Sequence, residues 1–196
     1  MSMAVITADP AESERGKRWT AADLREITDD RNRYEIVDGE LFVTPSPSPE
    51  HQTLLKLFFR HIDSYVEAGR LGNVIFAPSD VMLADDTVVE PDLFVLPPTH
   101  GKLPAQWDAA AGLLLVVEIL SPRTARADRT VKRQRYQKEG VSQYWLVDGD
   151  ARVVERWRPE DDRPEILSDR LEWQPDASVQ PLAIDLAALF VAGLGA

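Results

Sequence analysis

Two acidic residues stand inside otherwise apolar stretches of this sequence. Asp92 lies in "VEPDLFV", directly after a proline, and Glu118 lies in "LLLVVEIL". A lone carboxylate in a buried strand is costly unless it is paired, hydrogen-bonded or bound to a metal. If the two acids lie on adjacent strands, both can point into one cleft. Such a pair could hold Mg²⁺ (or Mn²⁺), since Mg²⁺ commonly takes one or two carboxylates and completes its shell with phosphate and water.

A lysine on the following predicted helix would complete this chemistry. Asp128, Lys132 and Tyr136 are spaced at i, i+4 and i+8, so they share one helical face that could cover the end of the Glu118 strand. A metal ion polarises a phosphate and lowers the pKa of a bound water. A lysine can orient that water or stabilise the charge that develops in the transition state. Asp92, Glu118 and Lys132 therefore form a candidate phosphodiester-cleaving set.

The elements around these residues follow a mixed α/β order. An apolar strand at 113–120 precedes a helix at 124–140, which ends at Gly140, and an apolar strand at 142–148 follows. Such a strand–helix–strand unit predicts a right-handed parallel crossover. The next segment, 151–159, is predicted to pair with that strand as a hairpin across Gly149, and a closing helix is predicted at 182–190.

The first half of the chain carries local signals of its own. Thr20 and Asp23 predict a capped short helix, and Asp38-Gly39 predicts a two-residue hairpin turn. Ser48 is a candidate cap for a longer helix, and two strands are predicted to join near Asp85-Asp86. Five apolar residues recur at helical spacing along the longer helix: Leu54, Phe58, Ile62, Tyr65 and Val66.

Composition sets outer bounds on the class of protein. The chain has 196 residues, 44% of them apolar, which suits one domain at 18–196 preceded by a mobile tail at 1–17. Cysteine is absent, which excludes disulfides and thiolate sites. The charged N-terminus does not resemble a secretory signal and no apolar run is long enough to span a membrane, so a cytoplasmic location is predicted.

Charge is distributed unevenly along the chain. The formal net charge is −11, yet the segment from Ser121 to Gly140 has seven basic and two acidic residues, a local charge of +5. A basic helix beside buried acids could contact the phosphates of DNA. The candidate DNA-binding residues are Arg123, Arg126, Arg129 and Arg133. An ordinary charged helix face, exposed to solvent, is the alternative interpretation of this pattern.

Three stretches together resemble a known family. They are "YEIVDGELFVTPSPSPEHQ", "VEPDLFV" and the long run "LLLVVEILSPRTARADRTVKRQRYQKEGVSQYWLVD". They resemble the Uma2 family, which belongs to the PD-(D/E)XK nuclease superfamily, and the resemblance extends from about residue 20 to about residue 190. It implies an α/β restriction-endonuclease-like core, with a mixed β-sheet flanked by α-helices and the acids at one edge of it. It also implies Mg²⁺-dependent cleavage of DNA.

One departure from the superfamily pattern concerns the lysine. The superfamily usually places it two residues after the second acid, where this chain has Leu120. Lys132, on the next helix, takes its place in this interpretation, because only the position of the ammonium group matters for the chemistry. The metal ligands implied are Asp92, Glu118 and the backbone carbonyl of Ile119.

Further residues could support the site. The superfamily often adds an early acid, and Glu35 fits that role as well as it fits a solvated strand position. His51 could contact phosphate or cap its helix, and Asp80 fits a strand end better than a ligand position. Asp128 and Tyr136 would support Lys132 from their shared helical face.

The sequence therefore predicts a Mg²⁺-dependent DNA endonuclease, compatible with a homodimer that cuts both strands. One alternative is a non-catalytic nucleic-acid-binding or interaction domain that retains the nuclease fold. Another is a structural protein in which these acids and bases pair internally.

Overall fold

The computed structural model describes residues 17–27, 32–99, 106–108 and 112–196. Its elements, in chain order, are α1 (Ala21–Leu24), β1 (Arg33–Val37), β2 (Glu40–Thr44), α2 (Pro49–Gly69), β3 (Asn73–Phe76), β4 (Val81–Ala84), β5 (Thr87–Val89), β6 (Leu93–Leu96), β7 (Trp107–Asp108), β8 (Leu115–Ile119), α3 (Ala125–Ala127), a π-helix (Asp128–Lys132), α4 (Arg133–Lys138), β9 (Tyr144–Asp148), β10 (Val153–Trp157), β11 (Glu165–Leu167), β12 (Arg170–Trp173), β13 (Leu182–Asp185) and α5 (Leu186–Leu194). The predicted tail at 1–17 falls outside these residues except for Lys17.

A six-stranded mixed sheet forms the centre of the fold, in the order β11-β10-β9-β8-β6-β3. β8 and β9 are parallel and joined through the helical segment, as predicted for this unit. β10 pairs antiparallel with β9 across Gly149, which confirms the predicted hairpin. The predicted α/β fold, a mixed sheet with flanking helices, is therefore confirmed.

A second sheet covers one face of the first. Its order is β2-β1-β5-β4-β7, and β1 and β2 form the hairpin predicted from Asp38-Gly39. Both turn residues have positive φ, +50° and +82°, which is the conformation that a two-residue hairpin turn requires. The prediction of two strands between residues 73 and 97 was wrong. The segment forms four short strands, and while β4 and β5 do join at Asp85-Asp86, they belong to this second sheet.

Side chains alternate along the central strands, and this alternation creates two cores. Leu93, Val117 and Trp145 face α2 and α5, where they pack with the apolar stripe of α2. The even-numbered neighbours Phe94 and Val116 face the second sheet instead, with Tyr136 of α4. Glu118 has the same parity as Val116, so its carboxylate is directed into this second layer rather than towards α2.

The helix ends agree with their sequence signals. Thr20 and Asp23 form a reciprocal capping box at α1, and Ser48 caps α2 ahead of Pro49. The predicted closing helix at 182–190 was partly wrong, because residues 182–185 form β13 and the helix begins only at Leu186. None of the described helices is long and apolar enough to cross a membrane.

Candidate active site

The ammonium group of Lys132 lies at the centre of a buried acidic cluster. Its Nζ atom is 2.6 Å from Glu118 Oε1, 2.9 Å from Glu35 Oε1 and 3.3 Å from Asp128 Oδ1. The four side chains come from β8, β1 and the π-helix, and all are buried. Glu35 is fixed further by the backbone N–H of Glu90, which donates to Oε1 at 2.9 Å.

Burial and crowding control protonation in this cluster. Burial raises the pKa of the Glu118 carboxyl well above its usual value, and the charges of Asp92, Asp128 and Glu35 add to the effect, although Lys132 opposes it. Burial by itself lowers the pKa of Lys132, but the three surrounding carboxylates outweigh it and raise that pKa. Lys132 therefore stays charged, and the acids around it exceed what one ammonium can neutralise.

Asp92 is held from three sides at the start of β6. Its Oδ1 accepts from Arg33 Nη1 at 2.8 Å, and its Oδ2 lies 2.8 Å from the backbone N of Ile119 and 2.9 Å from His51 Nε2. Burial raises the pKa of the Asp92 carboxyl, but the contacts with His51 and Arg33 and the Ile119 N–H outweigh burial and lower it overall. Asp92 is therefore held as a carboxylate.

Arg33 connects the two sheets at this point. Besides Asp92, its guanidinium contacts the Glu90 side chain (Nε to Oε1, 2.7 Å) and donates to the Glu90 carbonyl. Arg33 and Glu35 are two residues apart on β1 and therefore point to the same face of the strand. Both project towards the ends of β6 and β8. The hairpin thus supplies one cation and one acid to the same cluster.

The π-helix positions Asp128 and Lys132 together. π-helical turns occur mostly as short insertions in α-helices, often at functional sites. Here the turn carries both residues to Glu118, and one α-helical turn later the Tyr136 hydroxyl lies 3.5 Å from Glu118 Oε1. The predicted shared face of these three residues is therefore present. Tyr144 of β9 fixes the turn by donating from its hydroxyl to the Asp128 carbonyl at 3.2 Å.

An open pocket of about 800 Å³ gives access to this cluster. Its lining includes Glu35, Asp92, Glu118 and Lys132, together with the first turn of α2 and the segment that follows β8. One nitrogen of the lining, His51 Nδ1, is buried and has no hydrogen-bond partner within the described residues. Buried polar atoms are normally satisfied, so this nitrogen has unused hydrogen-bonding capacity.

A family model described as "Putative restriction endonuclease" (Uma2) matches residues 21–187, most of the chain. The chain belongs to the Uma2 family. The resemblance inferred from the sequence is thereby confirmed.

One solved structure extends the comparison to the fold. It is described as a putative nuclease belonging to DUF820 from Anabaena variabilis ATCC 29413. It superposes with a TM-score of 0.75 at 19% sequence identity, covering 90% of this chain and 99% of that one. At this identity the similarity shows a shared fold and nothing finer. A comparison with curated proteins found no match.

The donor atoms of this Uma2 pocket fit a hard divalent cation. Five carboxylates and two permanent cations lie in one contact network: Glu35, Glu90, Asp92, Glu118 and Asp128 with Arg33 and Lys132. This excess of negative charge must be relieved by protons or by a metal ion, and oxygen ligands suit Mg²⁺. No three His, Asp or Glu side chains in the described part of the chain are grouped closely enough to hold an ion by themselves. An ion bound here would take one or two carboxylates and complete its shell with phosphate and water.

The predicted DNA-binding arginines are placed unequally in this Uma2 chain. Arg123 is exposed and lines the pocket, and Arg126 is exposed outside its lining. Arg129 also lines the pocket but is bound to Asp148 and Glu155 at 2.7 and 2.6 Å. Arg133 stacks over Trp157, with 4.6 Å from Cζ to the ring centroid, and does not line the pocket.

The local charge of +5 is therefore largely compensated within the fold. Lys132 is buried among acids, and Arg135 is bound to Asp38 and Glu139 at 2.7 and 2.9 Å. Together with the two partners of Arg129, these contacts neutralise much of the basic helix. A charge count over consecutive residues could not detect carboxylates that arrive from other elements.

Of the other predicted supporting residues, two contact the cluster and one lies outside the pocket lining. Glu35 and His51 both reach the cluster, and His51 does so through its side chain while its helix is capped by Ser48. Asp80 lies just before β4 outside the pocket lining, and burial raises the pKa of its carboxyl.

Sequence reasoning missed Arg33 and Glu90. The one signal that could have found them was their position in the sequence. Arg33 is two residues before Glu35, on the same face of its strand, and Glu90 immediately precedes Pro91-Asp92.

Proposed function

We propose that this pocket hydrolyses phosphodiester bonds of DNA with a divalent metal ion, Mg²⁺ or Mn²⁺. The observation that carries the proposal is the position of Lys132 Nζ, within 2.9 Å of both Glu118 and Glu35 at an open pocket that Asp92 also lines. Two buried acids and a lysine beside a solvent-accessible pocket are the groups that phosphodiester cleavage requires. Membership of a family whose model is described as "Putative restriction endonuclease" supports the same reaction.

Asp92 and Glu118 are the residues that would hold the metal, with the carbonyl of Ile119 as an additional ligand. When bound, such an ion polarises the phosphate and lowers the pKa of a coordinated water. Asp92 is suited to this role because its contacts with Arg33 and the Ile119 N–H keep it ionised and oriented. Glu118 would bind metal with release of any proton it carries, since its pKa is raised without metal.

Lys132 supplies the positive charge that does not depend on metal. Its ammonium group has three donors, and the surrounding carboxylates hold it in one position before substrate arrives. Three carboxylates already contact this group, so Lys132 would act through its preorganised positive charge, which stabilises the negative charge that develops on phosphate at little reorganisation cost. Glu35 and Asp128 act as its positioning residues, and Arg123 at the rim would contact the DNA backbone.

The alternative function is a non-catalytic nucleic-acid-binding or interaction domain that retains the nuclease fold. The internal pairing of Glu118 with Lys132 favours it to this extent: Lys132 already has a carboxylate partner without substrate. Turnover, rather than binding, separates the two functions.

The test is incubation of purified protein with supercoiled plasmid in Mg²⁺, in Mn²⁺ and in chelator. Cleavage only with metal, abolished by Asp92→Asn, is the expected result. Asp185→Asn is a matched acid-to-amide control, because Asp185 caps α5 through Ala188 outside the pocket. Linear product would indicate two sites acting together, as in a homodimer, whereas nicked product alone indicates one. Binding without cleavage in every metal would support the alternative, and cleavage that survives in chelator would refute the metal mechanism.

A further inference from the structure

Helix α2 carries a row of four charged side chains along its solvent side. They are Lys56, Arg60, Asp63 and Glu67, and neighbouring members of the row are three or four residues apart. On a helix with 3.6 residues per turn they fall within about 60° of the circumference, so they form one charged ridge. Lys56, Arg60 and Glu67 are exposed, and Asp63 is partly exposed.

The order of charges along the charged ridge is unfavourable within a single copy of the helix. Two cations, four residues apart, occupy its first half, and two anions, also four residues apart, occupy its second half. Like charges at this spacing repel each other. Glu67 also lies in the last turn of α2, where an acid opposes the helix dipole. Within the described residues, none of the four side chains forms an ion pair or a hydrogen bond. The stability of one chain therefore does not explain this arrangement.

The same order is self-complementary when a second copy of the helix runs antiparallel to the first. A two-fold axis beside the midpoint of residues 61 and 62 would place Lys56 opposite Glu67 of the second copy. The same axis would place Arg60 opposite Asp63. Because a two-fold contact is made twice, four pairs of opposite charges would form. A uniformly charged partner, such as DNA, would attract one half of the ridge and repel the other.

An exposed aromatic pair lies along one side of the charged ridge. Phe59 is three residues after Lys56 and four before Asp63, so it adjoins the ridge on the helix surface. Its ring meets that of Phe76 edge to face, with centroids 5.0 Å apart. Phe76 is 53% exposed and belongs to β3, an outermost strand of the central sheet. Aromatic residues are enriched where proteins contact each other, and the two-fold axis would bring both copies of this pair to the same side of the two helices.

We propose that the charged ridge and Phe76 form a homodimer interface in which two α2 helices pack antiparallel. The partner is a second copy of this chain. Helix α2 covers the face of the central sheet opposite to the layer that receives Glu118, and no residue of the charged ridge lines the pocket. The interface therefore goes beyond the proposed nuclease function and does not depend on it.

The test combines charge reversal with sedimentation velocity over a range of protein concentrations. Wild-type protein should dimerise reversibly. Lys56→Glu places two acids opposite each other and Glu67→Lys places two lysines opposite each other, so each variant should raise the dimer Kd about tenfold or more. An equimolar mixture of the two variants should recover the wild-type Kd, because every ridge position of the mixed dimer then faces an opposite charge.

Two further variants complete the test. Lys138→Glu is the matched control, since it reverses an exposed lysine on α4, which packs against the other face of the central sheet, and it should leave the Kd unchanged. Phe76→Ala removes the exposed ring and should raise the Kd about tenfold. An alanine variant that dimerises like wild type would remove Phe76 from the interface. Thermal melts check that each variant is folded.

Three outcomes would overturn the proposal. The first is wild-type protein that stays monomeric at every concentration. The second is a dimer whose Kd is unchanged by both charge reversals, which would assign the contact to another surface. The third is a loss in both single variants without recovery in their mixture, which would show that the ridges do not meet antiparallel. A monomeric wild type that still cuts DNA would refute this interface and leave the nuclease function intact.

Discussion

Replacement of Glu118 by Gln should preserve or raise the stability of the metal-free protein. The structure explains why the usual cost of breaking a buried ion pair does not apply. Lys132 keeps Glu35 at 2.9 Å and Asp128 at 3.3 Å when Glu118 loses its charge. The substitution also removes one of several crowded, desolvated carboxylates at nearly constant volume. If Lys132 depended on Glu118 alone, an uncompensated ammonium would cost about 3–5 kcal/mol.

The pH dependence of this effect has a definite sign. Because the pKa of Glu118 is higher in the folded protein than its ordinary 4.5, the folded state binds a proton more tightly than the unfolded state. Its contribution to stability is complete below about pH 4.5 and declines as pH rises through the raised value. The advantage of the Gln variant over wild type should therefore grow from about pH 4.5 upwards.

Metal should stabilise the wild type and have little effect on the Gln variant. At ten times its Kd, Mg²⁺ would stabilise the wild type by about 1.4 kcal/mol, because it binds only the folded state. For a domain of this size that corresponds to a rise in Tm of roughly 3–6 °C. The Gln variant has lost a ligand and should respond little. Thermal melts of both proteins, in Mg²⁺ and in chelator across the pH range, measure all three effects.

Glu155→Gln is the matched control for these melts. Glu155 is also a buried strand glutamate, but it pairs with Arg129 at 2.6 Å outside the pocket. It should lose stability and keep the wild-type response to Mg²⁺. A large drop in the metal-free Tm of Glu118→Gln, with no response of wild type to Mg²⁺, would refute the metal-site reasoning and assign Glu118 to a structural role.

Three further predictions concern separate parts of the molecule. Lys132→Ala should lower kcat about 100-fold or more with little change in DNA affinity, which steady-state kinetics at saturating DNA and a separate binding assay check; wild-type turnover would exclude the lysine from the reaction. Arg123→Ala should reduce the slope of log affinity against log salt by about one, whereas Arg133→Ala, which loses contacts within the fold, should lower Tm and leave the slope unchanged. Equal slopes for both variants would contradict the assignment of Arg123, rather than Arg133, to contact with the DNA backbone. Gly72→Ala should cost more than about 3 kcal/mol in denaturant unfolding, because its Cβ would lie 1.8 Å from a β6 carbonyl oxygen at φ +148°. Gly112→Ala, at φ +71° with nothing within 4 Å, should cost roughly 1–3 kcal/mol, and similar losses for both would show that the β6 contact is not the cause.

Local signals in the sequence predicted their structures well. The turn at Asp38-Gly39 and the caps at Thr20 and Ser48 depend on a few consecutive residues, and all three are confirmed. The four strands between residues 73 and 96 were not resolved by the same reasoning. Whether β4 and β6 join one sheet or two depends on partners elsewhere in the chain, which periodicity cannot identify.

In the candidate site, too, contacts between residues close in sequence could be predicted and contacts between distant residues could not. The contact of Lys132 with Glu118 could be expected because a strand and the helix after it are close in sequence, and helical spacing oriented the lysine. Arg33 was missed because its partner Asp92 lies 59 residues away, on another sheet. The uncompensated charge of the basic helix was overestimated for the same reason, since Arg135 contacts Asp38 at a separation of 97 residues.

The π-helical turn at Asp128–Lys132 makes chain length, as well as residue type, a requirement of this site. Each residue of an α-helix advances the chain by 1.5 Å and rotates it by about 100°. Deleting one neutral residue from this turn would relax it to α-helix, and Asp128 and Tyr136, then seven residues apart, would differ by only about 20° around the helix axis. Inserting one residue would instead leave them nine residues apart, about 180° from one another around the axis. A single-residue insertion between Asp128 and Tyr136 should therefore harm this site more than a deletion of equal size, although both changes preserve every charge in the segment.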